Sequence, residues 1–150
     1  MYRRHVVITI LIGVLVTVIS YLLSFDYKHI AETAIDIMGI ASAVYLAIYP
    51  LLQGSENLIK KLATQDLRLP KKTQMGVLNT YLKVGLIMGI TSIVCGCVVL
   101  LTVGSYAETI EKLPVWYRLL SSAAIGQFAS NFPLLWFVGE FMVHRVAFNR

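Results

Sequence analysis

The stretch from Val6 to Ser24, VVITILIGVLVTVISYLLS, contains no charged side chain and no proline. A helix needs about 20 apolar residues to cross a hydrocarbon core about 30 Å thick, and this run has that length. Three further runs share its character. One extends from about Ala31 to Leu52 with Asp36 near its start, one from about Leu82 to Gly104 with Lys83 at its edge, and one from about Trp116 to Val143 with Arg118 at one end and Glu140 at the other. Backbone polar groups in lipid must be satisfied within the protein, so each run is expected to be helical. The alternation of a membrane β-barrel is absent from all four. The fold class expected is therefore all-α: a polytopic membrane protein of four transmembrane helices forming one domain over residues 1–150.

Composition agrees. Apolar residues make up 57% of the chain, charged residues 14%, and the mean hydropathy is +0.73. A soluble domain carries about 25% charge to keep its surface in water. The first run is longer than the apolar core of a signal peptide, and no small-x-small cleavage site follows it, so it is expected to remain as a helix.

The basic residues orient the bundle. Arg3, Arg4, Lys60, Lys61, Arg68, Lys71, Lys72, Lys83, Arg145 and Arg150 fall on the N-terminus, the middle loop and the C-terminus. Only Lys28, Lys112 and Arg118 fall on the other two loops. The positive-inside rule then predicts cytoplasmic N- and C-termini. The formal charge of +5 is read as a topology signal and not as nucleic-acid binding, because no basic–aromatic interleaving accompanies it.

The loop following the first run, 25–30, is short, which predicts that the first two spans are antiparallel neighbours. The middle segment is the one sizeable aqueous portion. ENLIKKLATQDLRL carries Leu58, Ile59, Leu62 and Leu69 among basic and polar residues, an approximate helical stripe. Pro70 blocks continuation, and Thr73 can cap a new helix from about Gln74. The second and third spans are therefore expected to extend into the cytoplasm as a hairpin over 54–81 with its tip near Leu69–Lys72, the alternative being an amphipathic segment lying on the lipid surface with its lysines on anionic headgroups. Its Lys60, Lys61, Arg68, Lys71 and Lys72 are the candidate contacts for a cytosolic protein.

Small residues mark where helices meet in lipid. Gly85, Gly89, Ser92 and Gly96 form the clearest stripe, a candidate for packing within the chain or in a homo-oligomer. Thr9, Gly13, Thr17, Ser20 and Ser24 form another, Gly39, Ala43, Ala47 and Pro50 a third, and Ser122, Gly126, Ser130 and Pro133 a fourth. Polar groups at membrane depth are costly and often functional. Gln127, Ser130 and Asn131, followed by Pro133, can line a pathway or gate, or glue the bundle by hydrogen bonds to Thr9, Thr17, Thr91 or Tyr45. Asp36 and Glu140 are the ionisable groups nearest the membrane interior. Asp36 can cap its helix or bind a cation, and Glu140 lies one turn from His144 as a snorkelling cluster or a pH-sensitive pair. Trp116, Tyr117 and Trp136 are assigned to interfacial aromatic belts.

Cys95 and Cys97 point about 200° apart on one helix and cannot pair there. No CxxC, HExxH, GxSxG or Walker loop is present, and the three histidines fall near both membrane edges. No catalytic residue, metal site or cofactor is expected, and the protein is read as a non-enzyme.

The end of the second span runs straight into the basic loop, AIYPLLQGSENLIKK (47–61), and an amphiphilic return leads into the third span. In this layout the chain resembles small four-span bacterial phage-defence proteins, such as the membrane partner of the lambda Rex exclusion pair and the membrane subunit of the Kiwa system. The resemblance implies a membrane sensor or depolarising effector working with a cytosolic partner. Small multidrug transporters are similar in size, but they rely on a carboxylate deep in the first span, and Val6–Ser24 has none. Three functions follow in order: a homo-oligomeric sensor or scaffold, an ion-conducting or holin-like effector, and a small proton-coupled transporter.

Overall fold

A computed structural model describes residues 1–66, 68–103 and 115–144, with the backbone alone at Gln53, Thr102 and Val103. All its regular elements are helices: α1 (Arg3–Leu22), α2 (Lys28–Gln53), α3 (Glu56–Leu62), α4 (Gln74–Val103), α5 (Val115–Ala129) and α6 (Asn131–Met142). An isolated bridge joins Gln65 to Thr73. Three of the helices, α1, α2 and α4, are long and apolar enough to cross a membrane. Most of their surface faces outward, as a bilayer would require.

The fourth apolar run is helical but divided at Ser130, so neither α5 nor α6 alone has the length of a span. Pro133 has no N–H to continue the ladder. Side chains bond to the preceding turn instead: Ser130 Oγ donates to the Gly126 carbonyl at 2.8 Å, and Asn131 Nδ2 donates to the Gln127 and Phe128 carbonyls at 3.0 and 3.3 Å. Such back-bonding tends to bend a helix.

The pairing of helices departs from the expectation set by loop length. α1 packs chiefly on α5 and α2 chiefly on α4, while α4 also meets α5 and α6. The connection between α1 and α2 explains this, because it is fastened to α5. Ser24 adopts the left-handed region (φ 52°), an uncommon conformation for a residue with a Cβ. It is held by Arg118, which donates to Ser24 Oγ at 2.6 Å. Tyr117 donates to buried Asp26 at 2.8 Å, and the Tyr27 N–H donates to Ser121 Oγ at 2.7 Å. Tyr117 is therefore an interior residue and not part of an aromatic belt, whereas Trp116 and Trp136 are exposed.

The segment between α2 and α4 also takes a form other than two long protruding helices. α4 does begin at Gln74, ahead of its apolar run, and the Gly76 N–H bonds to Thr73 Oγ1 at 3.1 Å. α2, however, stops at Gln53, and Ser55 is extended (φ −129°, ψ 103°) before α3 begins. α3 folds back, with Leu62 wholly buried in the cluster that holds Leu52, Val77 and Leu78. Burying one leucine is worth about 1.5–3 kcal/mol, which favours a closed cap over an open hairpin.

Candidate functional site at the basic end

α1 begins, α2 ends, α4 begins and α6 ends at the same end of the bundle, where the middle segment folds over them. Asp66 organises that segment. Its side chain is buried, and Oδ1 accepts from the backbone N–H groups of Arg68 and Leu69 at 2.8 and 2.9 Å. Its own N–H donates to the Lys72 carbonyl at 2.9 Å. The remaining carboxylate oxygen accepts from the Tyr2 hydroxyl at 2.6 Å. One acid thus closes the turn and ties it to the N-terminus.

From Tyr2 the contacts continue into the bundle. The Tyr2 N–H donates to the Tyr81 hydroxyl at 3.1 Å, and that hydroxyl lies 2.6 Å from His5 Nδ1. The His5 ring stacks on Phe137 of α6 with centroids 3.8 Å apart. Burial, then the nearby Lys72 ammonium, hold the Met1 amine below its usual value, with Asp66 pulling the other way.

These groups wall a pocket of about 340 Å³, lined by Tyr2, His5, Arg68, Tyr81, Phe137, Glu140, Phe141 and His144. The Arg68 guanidinium carbon lies 5.4 Å from the Tyr2 ring centroid, a spacing at which cation and ring attract. Among the described residues no cluster of three or more histidine, cysteine or carboxylate side chains is placed to hold a metal ion.

Of the residues singled out from the sequence, the structure gathers Arg68, Glu140 and His144 here. Lys60, Lys71 and Lys72 stand exposed on the same folded segment, with Lys61 half-buried. Asp36 is exposed on α2 and is not among the residues lining the pocket. Arg145 and Arg150, and the loop holding Lys112, lie outside the described residues.

The small-residue stripes serve the chain's own packing in three cases of four. Gly85 lies against the Tyr45 ring, Gly89 against Ser42 and Gly96 against Ile35, all on α2. Gly13 and Thr17 of α1 meet Gly126 of α5, and Gly13 also meets Ser130. Gly39, Ala43, Ala47 and Pro50 of α2 face outward.

Of the polar groups singled out in the fourth run, Gln127 bridges two helices, though with other partners than those expected. Ser92 Oγ donates to Gln127 Oε1 at 2.7 Å, and Gln127 Nε2 donates to the Met88 carbonyl at 2.8 Å. Thr9, Thr17 and Thr91 bond instead to carbonyls of their own helices. Sequence reasoning missed Tyr2, His5, Asp66 and Tyr81 as site residues. The one available signal was an acid, Asp66, set within a basic loop.

No protein-family model matches the chain, and no curated protein or solved structure matches it.

Proposed function

We propose that this chain is a non-enzymatic four-span subunit of a bacterial inner membrane, with both termini in the cytoplasm. It couples a membrane event to a cytosolic protein through the basic segment between α2 and α4. The observation that carries this reading is that the segment is a folded platform. Asp66 closes its turn and binds Tyr2, Leu62 anchors it in the core, and Lys60, Arg68, Lys71 and Lys72 are displayed on its surface. A prefolded surface binds at lower entropic cost than a loop that must first be ordered. α5 and α6 together supply the fourth crossing, returning the chain to the end where α1 begins. The resemblance to four-span phage-defence proteins supports a role in defence.

The test is capture in mild detergent with charge reversal at Lys60, Lys71 and Lys72, none of which builds the turn through its side chain. A specific cytosolic protein held by the parent chain should be lost from the variant at equal membrane abundance. Equal capture by both would remove the proposal. Self-association belongs to the same reading, and the small face still open for it is that of Gly39, Ala43 and Ala47 on α2.

Ion conduction is the second reading, and one observation favours it. Asn131 is almost fully buried, yet its carboxamide oxygen has no hydrogen-bond partner. Planar-bilayer recording of the purified chain under voltage and tension decides it: a silent bilayer excludes conduction by the chain alone.

A further inference from the structure

We infer that the pocket at the basic end binds a phosphate ester carrying a nearby amine, the chemistry shared by an aminophospholipid headgroup and a free phosphoamine. The inference rests on the membrane reading of the helices but not on capture of a cytosolic partner, so the loop-charge experiment can fail and leave it standing.

The lining residues carry both signs of charge. Arg68 and Glu140 border the same space, and among the described residues no ion pair joins them. A pocket meant for a simple anion would have no use for the carboxylate, and one for a simple cation no use for the guanidinium. A ligand with both charges a few bonds apart satisfies each. Arg68 is suited to the phosphate, because its planar guanidinium can present two donors to oxygens at once. His5 and His144 line the same walls. The ammonium falls to Glu140, the one carboxylate among the lining residues.

Size and place agree with this. A volume of about 340 Å³ is at the small end of the range for ligand sites, enough for a headgroup but not for acyl chains. The pocket also lies where the apolar faces of α1, α4 and α6 end, which is the level of lipid phosphates if these helices cross a bilayer. A headgroup there would touch the N-terminus, the basic platform and α6 at once.

The experiment is native mass spectrometry of the full chain in detergent, titrated with dihexanoyl phosphatidylethanolamine, dihexanoyl phosphatidylglycerol and O-phosphoethanolamine. The parent chain should take up one phosphatidylethanolamine roughly tenfold more tightly than phosphatidylglycerol. Arg68→Gln should weaken both lipids by roughly tenfold, the scale of a lost charge-assisted hydrogen bond. Glu140→Gln should collapse the preference between them to within about threefold, because it removes only the partner of the amine. Both side chains are exposed, so these variants are expected to fold, and Glu32→Gln, exposed near the start of α2 at the opposite end of the bundle, should change nothing. O-phosphoethanolamine binding as well as the lipid would assign the site to a soluble ligand of the same chemistry, and weaker binding would assign it to the membrane. Equal uptake of the two lipids by the parent chain, or an unchanged preference in Glu140→Gln, would overturn the inference.

Discussion

Two seams hold the bundle together, and both are built on glycine, yet they are filled in opposite ways. Between α2 and α4, glycines make notches that side chains enter: Tyr45 at Gly85, Ser42 at Gly89 and Ile35 at Gly96. Between α1 and α5 the backbones themselves approach. Gly126 faces the Gly13 carbonyl, and Thr17 folds its hydroxyl back onto that same carbonyl at 2.8 Å. A side chain in a notch can change rotamer or be replaced, whereas a carbonyl cannot move without moving its helix. Glycine stripes that look equivalent in sequence should therefore differ in what they tolerate.

The largest effect is expected at Gly126. A methyl group there would lie 2.5 Å from the Gly13 carbonyl oxygen and would also collide with Thr17 Oγ1. Gly126→Ala should destabilise the bundle by about 1–3 kcal/mol, the usual range for overpacking. Thr17→Ala should restore only part of that loss, because the carbonyl remains. Unfolding in micelles, followed by circular dichroism, measures both. Full rescue by Thr17→Ala would break the distinction between the seams.

Gly85→Ala comes next. Its methyl would sit 2.5–2.9 Å from two ring carbons and the hydroxyl oxygen of Tyr45, and that side chain is fully buried, so a cost of similar order, about 1–3 kcal/mol, is expected. Here the obstacle is a side chain, and Tyr45→Leu in the same chain should recover most of the loss. The coupling is read from a double-mutant cycle, which isolates the pairwise contribution. Additive losses would show that the Gly85 cost has another source.

A smaller effect is expected where α4 and α5 meet. Gln127→Leu removes the acceptor for Ser92 and the donor to the Met88 carbonyl. Hydrogen bonds between membrane helices are worth about 1 kcal/mol or less each, because the separated helices also find partners. The variant should lose about 1 kcal/mol and keep its fold. Ser92→Ala made in that background should add little, since its partner has already gone. A loss well above 2 kcal/mol would mean that Gln127 does more than bridge two helices.

How much of this was legible in the sequence follows from the range of the interactions. The long runs of α1, α2 and α4, the cap at Thr73 and the break near Pro133 depend on neighbours within a turn or two, and hydropathy with local stereochemistry exposes them. The glycine stripe of α4 was visible as a contact face, but a stripe names no partner. Nothing in its spacing distinguishes α2 of the same chain from a second copy. The pairing of α1 with α5 was hidden because loop length reports only that two ends are close. It took Asp26, Ser24 and Tyr27, each bonded to a residue more than ninety positions away, to fasten that loop elsewhere. The pocket was the least legible part. Arg68, Glu140 and His144 stood out individually, but what brings the Arg68 segment to the start of α1 is Asp66 receiving Tyr2 from 64 positions away, and no local pattern announces such a bond.

The smallest effects should come from glycines that meet a movable group or nothing. At Gly89 the nearest obstacle is Ser42 Oγ, whose hydroxyl has no hydrogen-bond partner to lose when it rotates away. At Gly39 a methyl group would meet nothing within 4 Å. Alanine gains roughly 0.5–1 kcal/mol over glycine in a helix interior, so Gly89→Ala should be near neutral and Gly39→Ala slightly stabilising in the same unfolding assay. Gly39 is the more informative of the two, because its face is the one small-residue stripe that the chain's own packing leaves outward. If copies of the chain associate through it, Gly39→Leu should keep the stability of the monomer but reduce the mass of the complex in mild detergent. A complex of unchanged mass would confine all four stripes to lipid or to the chain itself, and any self-association would then have to use a face that small residues do not mark.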